Sequence, residues 1–129
     1  MTTGYSVTTR NAQLDAITTA VGNAGKLRIY DGVRPATGGA ATTLLAEFTL
    51  GSPFAPGAAA AVLSPTLPAS TTGVAASTAT WFRVVTSGGT QVIDGSAGTA
   101  GTDLILTTAT ISIGLTINVT SWTITRGNP

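Results

Sequence analysis

The residues that could do acid–base chemistry in this chain are five carboxylates, Asp15, Asp31, Glu47, Asp94 and Asp103, spread widely along the sequence. Two carboxylates that met in the fold could act as general acid and general base on a glycosidic bond, but nothing in their spacing pairs them. The 129 residues include no histidine and no cysteine, which removes the commonest general base and every thiolate nucleophile. These residues therefore predict a protein that is not an enzyme.

Metal and phosphate sites receive little support from the spacing. Asp94 and Asp103 flank the glycine-rich residues 94–103, where a hard cation such as Ca²⁺ could bind, but the spacing does not match an EF-hand loop. Asp31 and Asp94 each precede a glycine at a predicted strand end, which is ordinary turn chemistry. The glycine pairs lack the Lys-Ser/Thr that follows a phosphate-binding loop. We therefore expect no metal ion and no other cofactor.

The low charge is the most informative feature of the composition. Charged residues make up 9% of the chain, against roughly 25% in an ordinary globular domain. The net charge of +1 and the lack of a basic block argue against nucleic acid as a partner. No apolar run approaches the roughly 20 residues of a membrane helix, and the N-terminus lacks a signal-peptide pattern. A surface of Thr, Ser, Gly and Ala costs little to desolvate, so it suits either a surface that another protein covers or an inert β domain.

The hydrophobic pattern predicts one helix and then strands. We expect a flexible arm over residues 1–8 and a single domain over residues 9–129, with a helix at about residues 10–21 capped by Thr9. Its apolar stripe, Leu14, Ile17 and Val21, favours packing on its own domain over docking on a partner. About eight short strands from residue 26 onward predict an all-β fold, an antiparallel, jelly-roll-like β-sandwich. An immunoglobulin-like Greek key is the main rival.

The closing strand changes the parity of its apolar residues between Val119 and Trp122. A β-bulge at residues 120–121 would keep Leu115, Ile117, Val119, Trp122 and Ile124 on the buried face. The alternative is that Trp122 faces outward as an anchor for a partner. The predicted core comprises Leu14, Ile17, Leu27, Ile29, Phe48, Trp81, Phe82, Val84, Trp122 and Ile124.

Two stretches that together cover nearly the whole chain, residues 8–58 and 78–128, carry a family resemblance. Their most specific pieces are RNAQLDAI, KLRIYDG, RPATGGAATTLLAEF, ATWFRVV and SWTITRGN. The chain resembles a family of small structural proteins of tailed double-stranded DNA bacteriophages and prophages. The resemblance implies a capsid decoration, or cement, protein with a jelly-roll fold, and it is weakest over the alanine-rich residues 59–77.

This resemblance implies contact with the major capsid protein, and with further copies of the chain as a homo-dimer or homo-trimer. The protein would lie on the outer capsid surface of the virion after synthesis in the host cytoplasm. The arm could order along the capsid. Arginine side chains can form bidentate pairs with carboxylates of the capsid. Phe54 lies in a proline-containing segment and is expected to be exposed. The candidate contact residues are Arg10, Arg28, Arg34, Phe54 and Arg126.

Two other functions remain open at this point. The first is another virion component, such as a part of the tail tube, neck or fibre base. The second is a carbohydrate-binding sandwich, which would need Trp81 or Trp122 on an exposed, flat face. The strand-like surroundings of Trp81 disfavour the second.

Overall fold

The chain forms one helix followed by short strands. A computed structural model describes residues 3–126, and within them helix α1 (Val7–Val21) precedes twelve strands. The strands are β1 (Lys26–Tyr30), β2 (Leu44–Thr49), β3 (Val62–Leu63), β4 (Thr71–Thr72), β5 (Ser77–Thr78), β6 (Trp81–Val85), β7 (Gln91–Gly98), β8 (Leu104–Leu106), β9 (Thr110–Ile111), β10 (Thr116–Ile117), β11 (Val119–Trp122) and β12 (Ile124–Thr125).

The largest unit is a curled six-stranded sheet with the order β11-β8-β7-β6-β1-β2. Its neighbours are antiparallel except β7 and β8, which pair in parallel. Three two-stranded ribbons, β10-β4, β12-β3 and β5-β9, complete the strand pairs among the described residues. The expectation of a mostly β fold with one short helix is confirmed. A purely antiparallel arrangement is wrong because of the parallel pair, and the described residues hold twelve strands instead of eight.

Strand β7 is longer than expected, and it has glycine at a position where a side chain would not fit. We expected residues 94–103 to form a glycine loop, but β7 continues through Gly95 to Gly98. A Cβ atom at Gly95 would lie 2.5 Å from Cε1 of Phe82 on the neighbouring strand. Glycine therefore stands in mid-strand because an aromatic ring occupies the space of its side chain.

Helix α1 begins three residues earlier than expected. Its N-cap is Ser6, whose hydroxyl accepts a hydrogen bond from the Thr9 N–H at 3.1 Å, so Thr9 is not the cap. Val7 and Thr8, which the sequence placed in the predicted arm, are helical. Residues 1–2 of the predicted arm lie outside the described residues. The helix ends at Gly22, whose φ of 70° suits glycine.

The core lies between helix α1 and one face of the sheet. Leu14, Leu27, Ile29, Phe48, Phe82, Val84 and Trp122 are buried there, and Ile17 and Ile124 pack against them partly buried. Trp81 is also buried, but it lies outside this cluster on the opposite face of the sheet. The helix therefore packs on its own domain.

The bulge predicted in the closing strand is confirmed. The register of β11 against β8 shifts between Val119 and Ser121, which leaves Thr120 as the extra residue. Val119 and Trp122 are both buried in consequence. The Trp122 ring meets Phe54 and Phe82 edge-on, at centroid distances of 5.3 and 5.5 Å. Trp122 is thus a core residue and not an outward anchor. Leu115 was expected in the core but is 36% exposed, because Gly114 turns the chain before it.

A tight turn before β3 holds two alanines in a conformation that favours glycine. Ala59 and Val62 exchange backbone hydrogen bonds of 3.0 and 2.9 Å, and between them Ala60 and Ala61 have φ values of 52° and 59°. Helix α1 braces this turn, since the Asn11 side chain accepts from the Ala61 N–H at 2.9 Å. Two positive φ angles are typical of a type I′ turn, in which Asn and Gly are the usual residues.

We expect Ala60→Gly to stabilise the protein. The substitution removes the left-handed strain at an exposed position, and the expected gain is about 0.5–1 kcal/mol in the free energy of unfolding after the entropy of glycine is subtracted. Ala59→Gly is the matched control, because Ala59 has no positive φ and should lose about 0.4–1 kcal/mol. Urea denaturation measures both. Equal changes in the two variants would show that the turn is not strained.

Candidate contact surface

The face of the sheet opposite the core carries a row of four charged residues. Arg28 of β1 lies opposite Glu47 of β2 on one side and opposite Arg83 of β6 on the other. Arg83 in turn lies opposite Asp94 of β7. Strand alternation produces this row, since the neighbouring residues along each strand point into the core. Each arginine has an acidic partner on its outer side, so the row contains two ion pairs.

The Arg28–Glu47 pair is half-exposed. Arg28 Nε donates to Glu47 Oε2 at 2.8 Å, and the two side chains are 32% and 38% exposed. The hydrogen bond to Glu47 raises the pKa of Arg28 above its ordinary value. An exposed pair of this kind contributes about 0–1 kcal/mol. Arg28 therefore already has an acidic partner in the chain, and about a third of its side chain stays exposed to a binding partner.

The Arg83–Asp94 pair is buried and bidentate. Arg83 Nε and Nη2 donate to the two oxygens of Asp94 at 2.7 and 3.0 Å. The side chains are only 10% and 1% exposed. Burial raises the pKa of Asp94, but hydrogen bonds from Arg83 and from the Gly38 N–H together outweigh it and hold the pKa below its ordinary value. The hydrogen bond to Asp94 raises the pKa of Arg83.

The connection between β1 and β2 covers this pair. We call residues 32–41 the tethered loop. Arg83 Nη2 donates to the Gly39 carbonyl at 2.8 Å, and the Gly38 N–H donates to Asp94 Oδ2 at 2.9 Å. Gly38 has a φ of 81°, which only glycine adopts without strain. Both members of the ion pair therefore bind the loop backbone directly.

An aromatic pair supports the base of the tethered loop. Trp81 stacks on Tyr30 with ring centroids 4.5 Å apart, and the Arg83 guanidinium carbon lies 5.2 Å from the Trp81 ring. The Trp81 indole N–H is within 3.0 Å of both the Asp31 carbonyl and the Thr42 hydroxyl oxygen. The same indole thus binds the two residues that flank the loop, Asp31 and Thr42. These contacts explain why Trp81 is buried outside the main core.

Two exposed residues near the start of the tethered loop, Val33 and Arg34, are called its tip below. Val33 is 87% exposed, the highest value among the large apolar side chains in the described residues. Arg34 follows it and is also exposed. Of the six basic residues, Arg34 is the one that makes no hydrogen bond or ion pair to any residue in the described part of the chain. An exposed apolar residue and an exposed cationic residue are therefore consecutive in the loop.

Two of the other candidate arginines, Arg10 and Arg126, form hydrogen bonds within the chain. Arg10 Nη1 donates to the Arg126 carbonyl at 3.3 Å, and Arg126 Nε donates to Gln13 Oε1 at 3.1 Å. These bonds tie helix α1 to the end of the described chain. Arg10 is half-buried, whereas Arg126 remains exposed beside its hydrogen bond.

Phe54 was expected to be exposed, and that expectation is wrong. Its side chain is 1% exposed and its ring packs edge-on against Trp122. The two prolines near it in sequence suggested a surface loop, but the aromatic side chain turns inward to fill the core. Phe54 is therefore unable to contact a partner in this conformation.

Further exposed apolar residues lie near the turn at Gly114. The Gly73 N–H donates to the Leu115 carbonyl, and the Gly114 N–H donates back to the Gly73 carbonyl, both at 2.9 Å. Val74, which is 57% exposed, follows Gly73, and Ile113, which is 76% exposed, precedes Gly114. Exposed apolar residues on neighbouring segments are candidates for a contact surface.

The two tryptophans and the acidic residues have structural duties. Trp81 is 0% and Trp122 3% exposed, so neither presents the flat, open face that a sugar-binding site needs. Asp103 Oδ2 accepts from the Ser96 N–H and hydroxyl, both at 3.0 Å, beside an open cleft of about 200 Å³. Within residues 3–126 no three His, Cys, Asp or Glu residues form a group that could hold a metal ion. No helix in the same range is long and apolar enough to span a bilayer.

The sequence did not predict the buried Arg83–Asp94 ion pair. Arg83 was not among the candidates, and Asp94 was read only as a turn residue or a weak cation ligand. The available signal was a single arginine inside the apolar segment TWFRVV, since an arginine in a strand covered on both faces needs an acidic partner.

Comparison of the sequence with models of known families finds no match, and comparisons with curated proteins and with solved structures find none either.

We expect Asp94→Asn to destabilise the protein strongly at neutral pH. Removing one partner of a buried pair leaves Arg83 uncompensated, which costs about 3–5 kcal/mol of unfolding free energy. Glu47→Gln is the matched control, since it breaks the half-exposed pair and should cost no more than about 1 kcal/mol. Urea denaturation at neutral pH compares the two. Similar losses in both variants would contradict a special role for the buried pair.

The same pair predicts a pH dependence with a definite sign. A carboxylate with a lowered pKa adds stability that is complete above its unfolded pKa of about 3.9 and is lost as the pH falls through the folded value. The wild-type free energy of unfolding should therefore decline below about pH 4, and the decline should be shallower in Asp94→Asn. Asp31, whose pKa is also lowered by hydrogen bonds from Ser77 and the Thr43 N–H, gives a residual slope in both proteins. Parallel pH curves would contradict the assignment.

Proposed function

We propose that this chain is a structural protein of a phage virion, a decoration or cement protein that binds the major capsid protein and bridges neighbouring subunits of the shell. The observation that carries the proposal is a surface with few charges and several exposed apolar side chains. The sequence resemblance of residues 8–58 and 78–128 supports the same role, and it supplies the phage context.

The exposed apolar residues are those of the tethered loop and of the turn near residue 114. Val33, Val74 and Ile113 are each more than half exposed. Covering one such side chain with a partner is worth about 1.5–3 kcal/mol. Few ions would have to be stripped of water at the same time, since charged residues make up only 9% of the chain.

A cement protein acts through binding area and repetition. An interface of about 1,600 Å² is the standard size for a stable complex, and contacts on a fixed lattice add avidity when one molecule touches several subunits. The proposed binding free energy would oppose the outward pressure of packaged DNA. No bond-making chemistry and no cofactor is part of this role.

The proposal includes self-association and a location. A closed dimer or trimer is the default symmetry for a soluble homo-oligomer, and either would place several contact surfaces on the shell. The protein would be made in the host cytoplasm and would lie on the outer capsid surface. The jelly-roll-like sandwich implied by the resemblance also belongs to this proposal, with a mixed sheet in place of an antiparallel one, since β7 and β8 pair in parallel.

The experiment mixes the purified protein with expanded shells, unexpanded shells and tails of the phage that carries its gene. We expect the protein to sediment with expanded shells in a fixed ratio to the major capsid protein and to raise the temperature at which they rupture. Immunogold labelling of whole virions provides the location. Label on the tail or neck would favour the alternative virion component, and absence from virions together with no shell binding would refute the proposal.

A further inference from the structure

We propose that the tethered loop is a preformed docking element, and that its tip, Val33 and Arg34, binds a partner surface that presents a carboxylate beside an apolar pocket. This inference rests on the proposed function for the identity of the partner, the major capsid protein. It adds which part of the chain makes the contact and what chemistry receives it.

The first argument comes from the side chains at the tip. Val33 is 87% exposed and contributes nothing to the core. The other five basic side chains each donate a hydrogen bond within the described chain, whereas Arg34 donates none there. A cation without an internal partner is complementary to an acidic group on another molecule. An adjacent valine requires an apolar surface next to that group.

The second argument comes from the way the loop is held. A loop of this length between antiparallel strands would ordinarily be mobile. Here the Gly38 N–H and the Gly39 carbonyl are both bound by the buried Asp94–Arg83 pair. Thr80 Oγ1 donates to the Gly32 carbonyl at 2.6 Å at the other end of the loop. The loop is therefore fixed at both ends before any partner arrives.

The third argument concerns the cost of the fixing device. A buried ion pair is commonly no more stabilising than apolar residues of the same volume, so its use under a loop serves the conformation of that loop. A loop that is ordered before binding loses less conformational entropy on association. The arrangement therefore raises affinity without enlarging the contact, because the backbone on both sides of the tip is already held.

The test measures binding of four single variants and the wild type to expanded shells of the major capsid protein. Val33→Ser should weaken binding by about tenfold or more through lost apolar contact. Arg34→Ser should weaken it by about tenfold at low salt and by less at high salt, where the wild-type ion pair is itself screened. Leu67→Ser and Lys26→Gln are matched controls, which remove an exposed apolar side chain and a positive charge outside the loop; both should bind like the wild type.

The outcomes separate this inference from the proposed function. Wild type that fails to bind shells and is absent from virions refutes the proposed function itself, and the docking loop with it. Wild type that binds while Val33→Ser and Arg34→Ser bind equally well refutes the docking loop and leaves the function standing. Unfolding curves of all four variants accompany the binding data, and because the substituted side chains at the tip are exposed, loss of folding is not expected. Affinity loss in the two tip variants alone supports the loop.

Discussion

The buried ion pair between Arg83 and Asp94 is the interaction on which the face of the sheet opposite the core depends. It joins two central strands of the sheet, and it binds the backbone of the tethered loop through the Gly38 N–H and the Gly39 carbonyl. Without the pair, the loop would lose its attachment at Gly38 and Gly39, and Trp81 would lose its contact with the Arg83 guanidinium. Removing one partner of a buried pair leaves the other charge uncompensated, which destabilises the fold strongly. Because both partners also bind the loop backbone, a change in either residue affects the loop as well.

The sheet separates two kinds of packing. On one face, Phe82 and Trp122 pack with residues of helix α1 in an apolar core. On the other face, Trp81 and Arg83 are covered by the tethered loop and its flanking residues. Their side chains donate hydrogen bonds to backbone carbonyls there, Trp81 to Asp31 and Arg83 to Gly39. Strand β6 is consequently buried along its whole length. Of the six basic and five acidic residues, four are used in two ion pairs, Arg28–Glu47 and Arg83–Asp94, on this second face of the sheet.

Local patterns in the sequence predicted what local physics controls. Alternation predicted β1, and the parity change between Val119 and Trp122 predicted the bulge, because a buried face must keep its apolar residues. Features set by distant contacts were not predictable in this way. The sequence around Gly95 predicts a loop, whereas the structure has a strand in which the Phe82 ring occupies the space of a side chain at Gly95. The sequence around Phe54 predicts an exposed residue, whereas its ring packs against Trp122 in the core. Arg83 and Asp94 are eleven residues apart and carry no motif, so only the strand register reveals the pair.

Hydrogen exchange at the Gly38 amide tests the central claim, that the ion pair holds the loop in place in the free protein. The wild type should protect this amide, since it donates to Asp94 at 2.9 Å. In Asp94→Asn the Gly38 amide should exchange much faster, while the core strand amides of β1 lose protection only as far as global stability falls. Exchange of Gly38 at the rate of an unstructured peptide in the wild type would contradict the account.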